Sequence, residues 1–338
     1  MLEIEINVSG RFMKKVWLQM RPYGRLLKAL YGFWYDFMRY YAFSGWRSNF
    51  SGAEVRNYHV VKIYHSLEKS MSFKKRNSSS GWKDAAALLE LIKCAKKYDN
   101  INYHDRAAVQ MLRKFIELDG NKENLLSGLI SKELSGLKVE SQEEHGSKVH
   151  TLHDFQKGCL ELPEDFFFSR YSLREFRNEK VCENVIRRAV SLAMKTPSVC
   201  NRQAWHVYHT ANSHVIEAAL KYQAGNRGFG EKIPNLFIIT ADLKGFMAGE
   251  EHYQHWIDGG LFSMSLIYGL HSLGVATCCL NWSQTPSNDK RLRKLIDIQA
   301  NHTVIMMLAI GWPDDENKVC VSARRPLDEV YTSLTLAE

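Results

Sequence analysis

Phe168-Ser-Arg-Tyr-Ser-Leu-Arg-Glu-Phe176, followed after a helix-length interval by Thr196-Pro-Ser-Val-Cys-Asn-Arg-Gln-Ala-Trp205, decides how the C-terminal half of this sequence reads. Arg170, Ser172 and Arg174 alternate just ahead of a helical run. In extended backbone that spacing turns all three side chains to one face. Two guanidiniums and a hydroxyl converging there make a grip for a phosphate or another oxyanion. Thirty residues on, Pro197-Ser198 stops the helix, and Asn201 and Gln203 bring two carboxamides to the start of the next strand. Carboxamides donate and accept together, which suits the mixed edge of a flavin pyrimidine or a nucleobase.

Working outward, Asp258-Gly-Gly-Leu and His271-Ser-Leu-Gly-Val-Ala-Thr277 lead into a strand, and Ile310-Gly-Trp-Pro313 precedes Arg324-Arg-Pro-Leu-Asp-Glu-Val330. Together with the opening and the turn, these stretches resemble the FMN-dependent nitroreductase family over roughly the C-terminal half. The family opens on S-R-x-S-x-R-x-F, turns on P-S-x-x-N-x-Q-P-W and closes on I-G-x-P followed by R-x-P-L-x-E-V. Ala204 stands where the family usually has Pro, a change of turn rigidity more than of chemistry. The resemblance implies an α+β fold with a central, mostly antiparallel sheet flanked by helices. It implies FMN as cofactor, NAD(P)H as reductant, ping-pong hydride transfer through flavin N5 to a small acceptor, and a homodimer whose sites use both subunits. It also implies the cofactor-binding set: Arg170, Tyr171, Ser172 and Arg174 from the opening, and Pro197, Ser198, Asn201 and Gln203 from the turn. Cys279, Leu280 and Asn281 would border the flavin after the strand, and Arg324 or Arg325 would complete the phosphate grip. Flavin N5 carries the chemistry, so no catalytic side chain is assigned.

The chain has 338 residues, 45% of them hydrophobic and 24% charged, enough apolar material for one large core or two ordinary ones. A net charge of +8 favours anionic partners. No nucleic-acid motif accompanies that charge, so nucleic acid is not expected. Seven scattered cysteines point to a reducing cytoplasm rather than a disulfide framework. No signal-peptide pattern and no spanning apolar stretch is evident. The Cys278-Cys279 pair lacks a second pair at finger spacing, and Glu251, His252 and His255 lack further ligands, so no metal is expected.

The N-terminal half reads as helical. Leu2 to Val8 alternates like a short strand, and Leu27, Leu30, Trp34, Phe37, Met38 and Tyr41 then recur at helical spacing between Arg21, Arg25, Lys28 and Arg39. Burial against the catalytic half or a dimer partner is favoured for this helix over a membrane-surface role. Ser51-Gly-Ala-Glu54 has capping-box spacing. His65, Glu68 and Lys69 close the following helix, either as dipole-complementing side chains or as a lid that contacts substrate. A comparable H-x-x-E-K segment belongs to helical extensions of nitroreductase-like proteins from bacterial surface-polysaccharide gene clusters, which this region resembles. Helices follow over Lys83–Tyr98, His104–Leu118 and Lys122–Leu137, and Ser213 and Ser287 are expected to cap later ones. Between Lys138 and Asp154 the pattern turns polar, which sets a helical extension at 1–150 against a nitroreductase-like FMN-binding domain at 151–338. Arg227, in a glycine-rich loop, is a candidate substrate contact. The competing classes are a non-catalytic flavin-binding or membrane-associated scaffold and a different flavin reaction on the same fold, namely dehalogenation, flavin fragmentation or azoline dehydrogenation.

Overall fold

Apolar residues three and four apart make the N-terminal half a set of five α-helices: α1 Leu2–Phe43, α2 Ala53–Met71, α3 Trp82–Lys97, α4 Tyr103–Glu117 and α5 Leu125–Leu134. The structure, a computed structural model, describes residues 2–137 and 145–337, with side chains of α1 described from Trp17 onward. The strand expected over Leu2 to Val8 is instead the first part of α1. An alternating run with no neighbouring strand cannot satisfy its backbone, whereas a helix does so locally. The expected burial of α1 against the catalytic half holds only near its C-terminus. There Tyr35 donates to Asp289 at 2.8 Å and Arg39 to the His302 carbonyl at 2.9 Å, while Trp34 and Phe37 stay exposed.

Helices α2 to α5 pack around Leu67, Leu88, Ile92, Leu112, Phe115 and Ile130. Beside that core lies an ion pair with no solvent exposure. Arg56 reaches the Asp105 carboxylate at 3.0 and 3.2 Å and also donates to the carbonyls of Phe50 and Asn100. Asp105 in turn accepts the Asn102 N–H in the capping box that opens α4, so both charges are saturated with partners. Part of the expected boundary, residues 138–144, lies outside the described residues.

Two short helices, α6 Leu152–Gln156 and α7 Pro163–Phe168, lead to the opening motif. Beyond it come α8 Glu183–Ala193, β1 Trp205–Thr210, α9 Ser213–Leu220, β2 Asn235–Asp242, α10 Gln254–His271, β3 Ala276–Asn281, α11 Pro286–Leu295 and β4 His302–Gly311. The four strands form one antiparallel sheet in the order β1-β2-β4-β3. The fold is therefore α+β, as the sequence implied. Central β2 is an apolar run buried on both faces. One face carries Ile238 and Met307 against Ile216 and Leu292 of α9 and α11. The other carries Phe237 and Leu308 against Ile186, Phe262 and Leu266 of α8 and α10.

Three helix starts differ from expectation. Ser51 bonds to Asn49, and Gly52 is the residue that precedes α2. Asn212 rather than Ser213 caps α9, because its side chain reaches two N–H groups, of His214 and Val215. Thr285 rather than Ser287 caps α11, since Pro286 fills the first helical position, where no donor is needed. The small residues of α10 serve mainly within the chain: a Cβ at Gly259 would fall 2.5 Å from Ile305 Cγ1, and Ser263 is buried. Gly260 faces open space beside exposed Ile257, Leu261 and Met264.

The helical unit rests on one end of the sheet. Gly45 donates to the Phe246 carbonyl at 2.8 Å, Lys244 pairs with Glu54, and a Cβ at Gly245 would lie 3.5 Å from the Tyr58 ring. Tyr58 donates to Asp242 at the end of β2 at 3.0 Å. After β4 the chain runs exposed to residue 337, with a single 3-10 turn at Leu327–Glu329.

Candidate functional site

The opening motif lies along the outer edge of β3. Ser172 forms a parallel bridge with Thr277, and the Leu173 N–H donates to the Thr277 carbonyl at 2.9 Å while the Leu173 side chain is buried. Alternation then keeps Arg170, Ser172 and Arg174 off the core face. Arg170 and Tyr171 line a cavity of about 450 Å³ with Thr277, His271 and Asn317. Burial pushes the Cys279 thiol up, with the Arg170 charge opposing, and Arg174 Nη1 lies 3.5 Å from Cys320 Sγ. Burial pushes the neighbouring Cys278 thiol up, with Arg174 opposing. Cys279 and Asn281 are exposed and the Leu280 side chain is in the core, so Leu280 has only main chain to offer a ligand. Arg324 and Arg325 sit on the exposed C-terminal segment, a few residues beyond Cys320; Arg324 donates to the Ser322 carbonyl.

The second part is a strained turn. Cys200, Asn201 and Gln203 have φ of 49°, 53° and 53°, left-handed values that non-glycine residues seldom adopt. The turn is held from below. Buried Arg202 donates to Glu251 at 2.5 and 2.9 Å, to the Gly245 carbonyl at 2.6 Å and to the Val199 carbonyl at 3.2 Å. The Asp258 carboxylate accepts the Val199 N–H, and Ser198 Oγ accepts the Gln203 N–H at 2.9 Å. Burial pushes the Glu251 carboxyl up, but the Arg202 bonds and charge and the Met247 N–H outweigh it and hold it down at about 2. Glu251 is thereby committed to structure and is no partner for a metal with His252, whose Nδ1 meets the Gly249 carbonyl. Pro197 is exposed at the head of the turn.

Asn201 and Gln203 line a polar cavity of about 660 Å³ between the two halves, with Tyr58, Glu68, His104 and Lys244 among its walls. The structure thus brings Glu68 of the helical unit to the carboxamides. His65 stands behind it, with Nδ1 3.1 Å from the Glu68 carboxylate, and Lys69 is exposed. Arg227 does not join them; it lines a separate cavity with Ser213, Glu217 and Glu231. Nor do the two halves of the flavin set share a cavity in one chain, since Arg170 lines one and Asn201 another.

Sequence reasoning missed His104, Tyr58, Asp242 and the Arg202–Glu251 pair. His104 Nδ1 is buried without a partner among the described residues, and burial pushes its pKa down. Asp242 accepts from Tyr58, from Asn301 at 2.6 Å and from the Lys244 N–H at 2.9 Å. The one local signal for any of these was the charged Arg202 between two amides. The other partners come from distant parts of the chain, where no spacing announces them.

Residues 168–227 match the Nitroreductase family profile. A protein of Archaeoglobus fulgidus, provisionally named NADH dehydrogenase/NAD(P)H nitroreductase, is 25% identical over 162 residues, covering 47% of this chain and 87% of its own. Iodotyrosine deiodinase 1 of Sus scrofa is 24% identical over 227 residues, covering 58% of this chain and 77% of its own. Among solved structures, an FMN-dependent nitroreductase from Clostridium difficile aligns with 50% of this chain and 98% of its own, at 18% identity and a TM-score of 0.43.

Proposed function

We propose, from the match of residues 168–227 to the Nitroreductase family profile, that the protein is an FMN-dependent oxidoreductase that draws on NAD(P)H and reduces a small acceptor. The observation that carries the reading is the strained turn at Cys200, Asn201 and Gln203, which lies inside the family-matched segment and is fixed by the ion pair of buried Arg202 with Glu251. Strain of this kind persists only where the surroundings over-determine it, and it concentrates at ligand sites.

FMN supplies two-electron chemistry at N5 when bound. The residues present fit it. Arg170, Ser172 and Arg174 form an anion grip for its phosphate, with Arg324 or Arg325 reaching in from the segment that Arg174 touches at Cys320. Asn201 and Gln203 would offer amide donors and acceptors to the ring edge, and the main chain at Cys279 to Asn281 would supply further hydrogen-bonding groups. Arg170 of the grip and the carboxamides line different cavities, which supports a homodimer in which one copy contributes the grip and the other the turn. Reductant and acceptor then use one cavity in turn, so the kinetics are ping-pong. The helical unit, 1–150, walls the acceptor side of the domain at 151–338: Glu68 and His104 face the cavity, and His65 orients Glu68. Seven unpaired cysteines support a reducing compartment, the cytoplasm.

A second reading is favoured by the deiodinase match, which extends over more residues than the nitroreductase one. In it the acceptor is a halogenated aromatic and the reaction is reductive dehalogenation.

The test is an absorbance spectrum of the purified protein after reconstitution with FMN, followed by anaerobic addition of NADH and NADPH. A flavin band that bleaches supports the proposal, and failure to bind FMN at micromolar concentration overturns it. Arg170→Ala is expected to weaken FMN binding by roughly tenfold to a hundredfold, the worth of a charge-assisted hydrogen bond. Halide release from iodotyrosine by the reduced protein would decide for the second reading.

A further inference from the structure

We propose that α1 is a dimerisation arm that pairs in parallel with α1 of a second copy. The surface is a seam of exposed apolar side chains. Met20, Tyr23, Leu27, Leu30, Trp34 and Phe37 follow one another at steps of three, four, three, four and three residues, and the next step of four falls on Tyr41. All seven are exposed, from 47% at Tyr41 to 67% at Leu27. A strict alternation of three and four is the a/d repeat of a coiled coil. In the sequence it continues backward through Val16 and Met13.

Three observations select a second copy as the occupant. The seam faces away from the body of its own chain: of the residues that dock α1, Arg39 lies opposite the seam, with Tyr35 and Tyr40 on its two flanks. The area is sufficient: seven large side chains about half exposed, flanked by exposed Leu26, Tyr31, Phe33 and Met38, present on the order of 1,000 Å² per copy, against the ~800 Å² per partner of a stable interface. Finally, Arg21, Arg25 and Lys28 take the positions farthest from the seam, where a coiled coil keeps its solvated charges. An interfacial membrane helix would instead carry its cations along the border of the apolar face, within reach of headgroups.

Parallel pairing sets the two bodies at the same end of the seam. There the exposed residues of α10 stand next to α1, across the cavity that Gly32, Tyr35 and Trp256 line. This arm lies outside residues 168–227 and does not rest on the flavin reading.

The test is disulfide cross-linking of the full chain under mild oxidation, with single cysteines introduced by Leu30→Cys in the seam or Lys28→Cys on the opposite face. The unsubstituted chain sets the background from its own exposed cysteines. A disulfide-linked dimer is expected as the dominant species for Leu30→Cys, with Lys28→Cys no higher than background. Equal cross-linking at both positions, or none at either, overturns the pairing. Flotation with phosphatidylserine-containing vesicles supplies a second measurement. If the chain floats and the floated fraction loses the Leu30 cross-link, the seam faces lipid and the proposal fails. FMN binding, read on the Leu30→Cys and Lys28→Cys proteins before oxidation, is scored apart from the cross-link, so that failure of the proposed function and failure of the pairing are distinguishable.

Discussion

Arg202 grips Glu251 through both terminal nitrogens, at 2.5 and 2.9 Å, directly beneath the left-handed pair Asn201 and Gln203. The guanidinium is shut away from solvent, and Glu251 is only 17% exposed. Removing one partner would leave the other charged, buried and alone. Glu251→Gln is therefore expected to destabilise the protein by about 3 kcal/mol. Urea denaturation measures this. Loss of FMN affinity in variant protein that remains folded would tie the pair to presentation of the turn.

The same carboxylate sets an acid limit. Its folded pKa, about 2, lies below its ordinary value, so it contributes stability above the ordinary carboxylate range and loses it as pH falls toward 2. Three imidazoles act at higher pH. Burial pushes His59, His255 and His302 down to about 4 from the usual 6.5. Between those values the unfolded chain binds protons that the folded chain refuses, so stability falls on acidification from pH 6.5 toward 4. Thermal melts across that range are expected to show a steady decline, and His255→Asn to flatten it.

The ion pair between α2 and α4 makes a separate prediction. Asp105→Ala strands Arg56 in the core and is expected to cost about 3–5 kcal/mol. Replacing both residues with methionine is expected to cost less than the single change, because no charge is left unpaired. A double-mutant cycle in urea reads both values.

Two neighbouring glycines on α10 are expected to respond in opposite senses. Gly259→Ala drives a methyl group into Ile305 and should cost about 1–3 kcal/mol by overpacking. Gly260→Ala meets nothing within 4 Å, and the gain in helix propensity should stabilise by up to about 1 kcal/mol. Melting temperatures of the two variants check the pair.

Periodicity made most of the fold legible. The apolar run of β2 and the i, i+3, i+4 pattern of α4 read directly as a central strand and a core helix, because burial alone dictates them. Short signals failed where a competing local partner won. Asn212 outbid Ser213 for the start of α9, and the alternating Leu2 to Val8 found no strand to pair with. At the candidate site the contiguous pieces were visible: the alternating arginines and the two amides. Asp242, Tyr58 and His104 were not, since the three lie on β2, α2 and α4 and meet only after folding.

The Asp242 carboxylate takes one hydrogen bond from Tyr58 in the helical unit and two from groups beside the sheet. With the contact of Gly45 to Phe246 and of Glu54 to Lys244, this ties the two halves across a joint that neither can satisfy alone. The halves should consequently lose their structure together. Calorimetry is expected to record a single endotherm, and residues 151–338 expressed without the helices should lack a cooperative melt of their own.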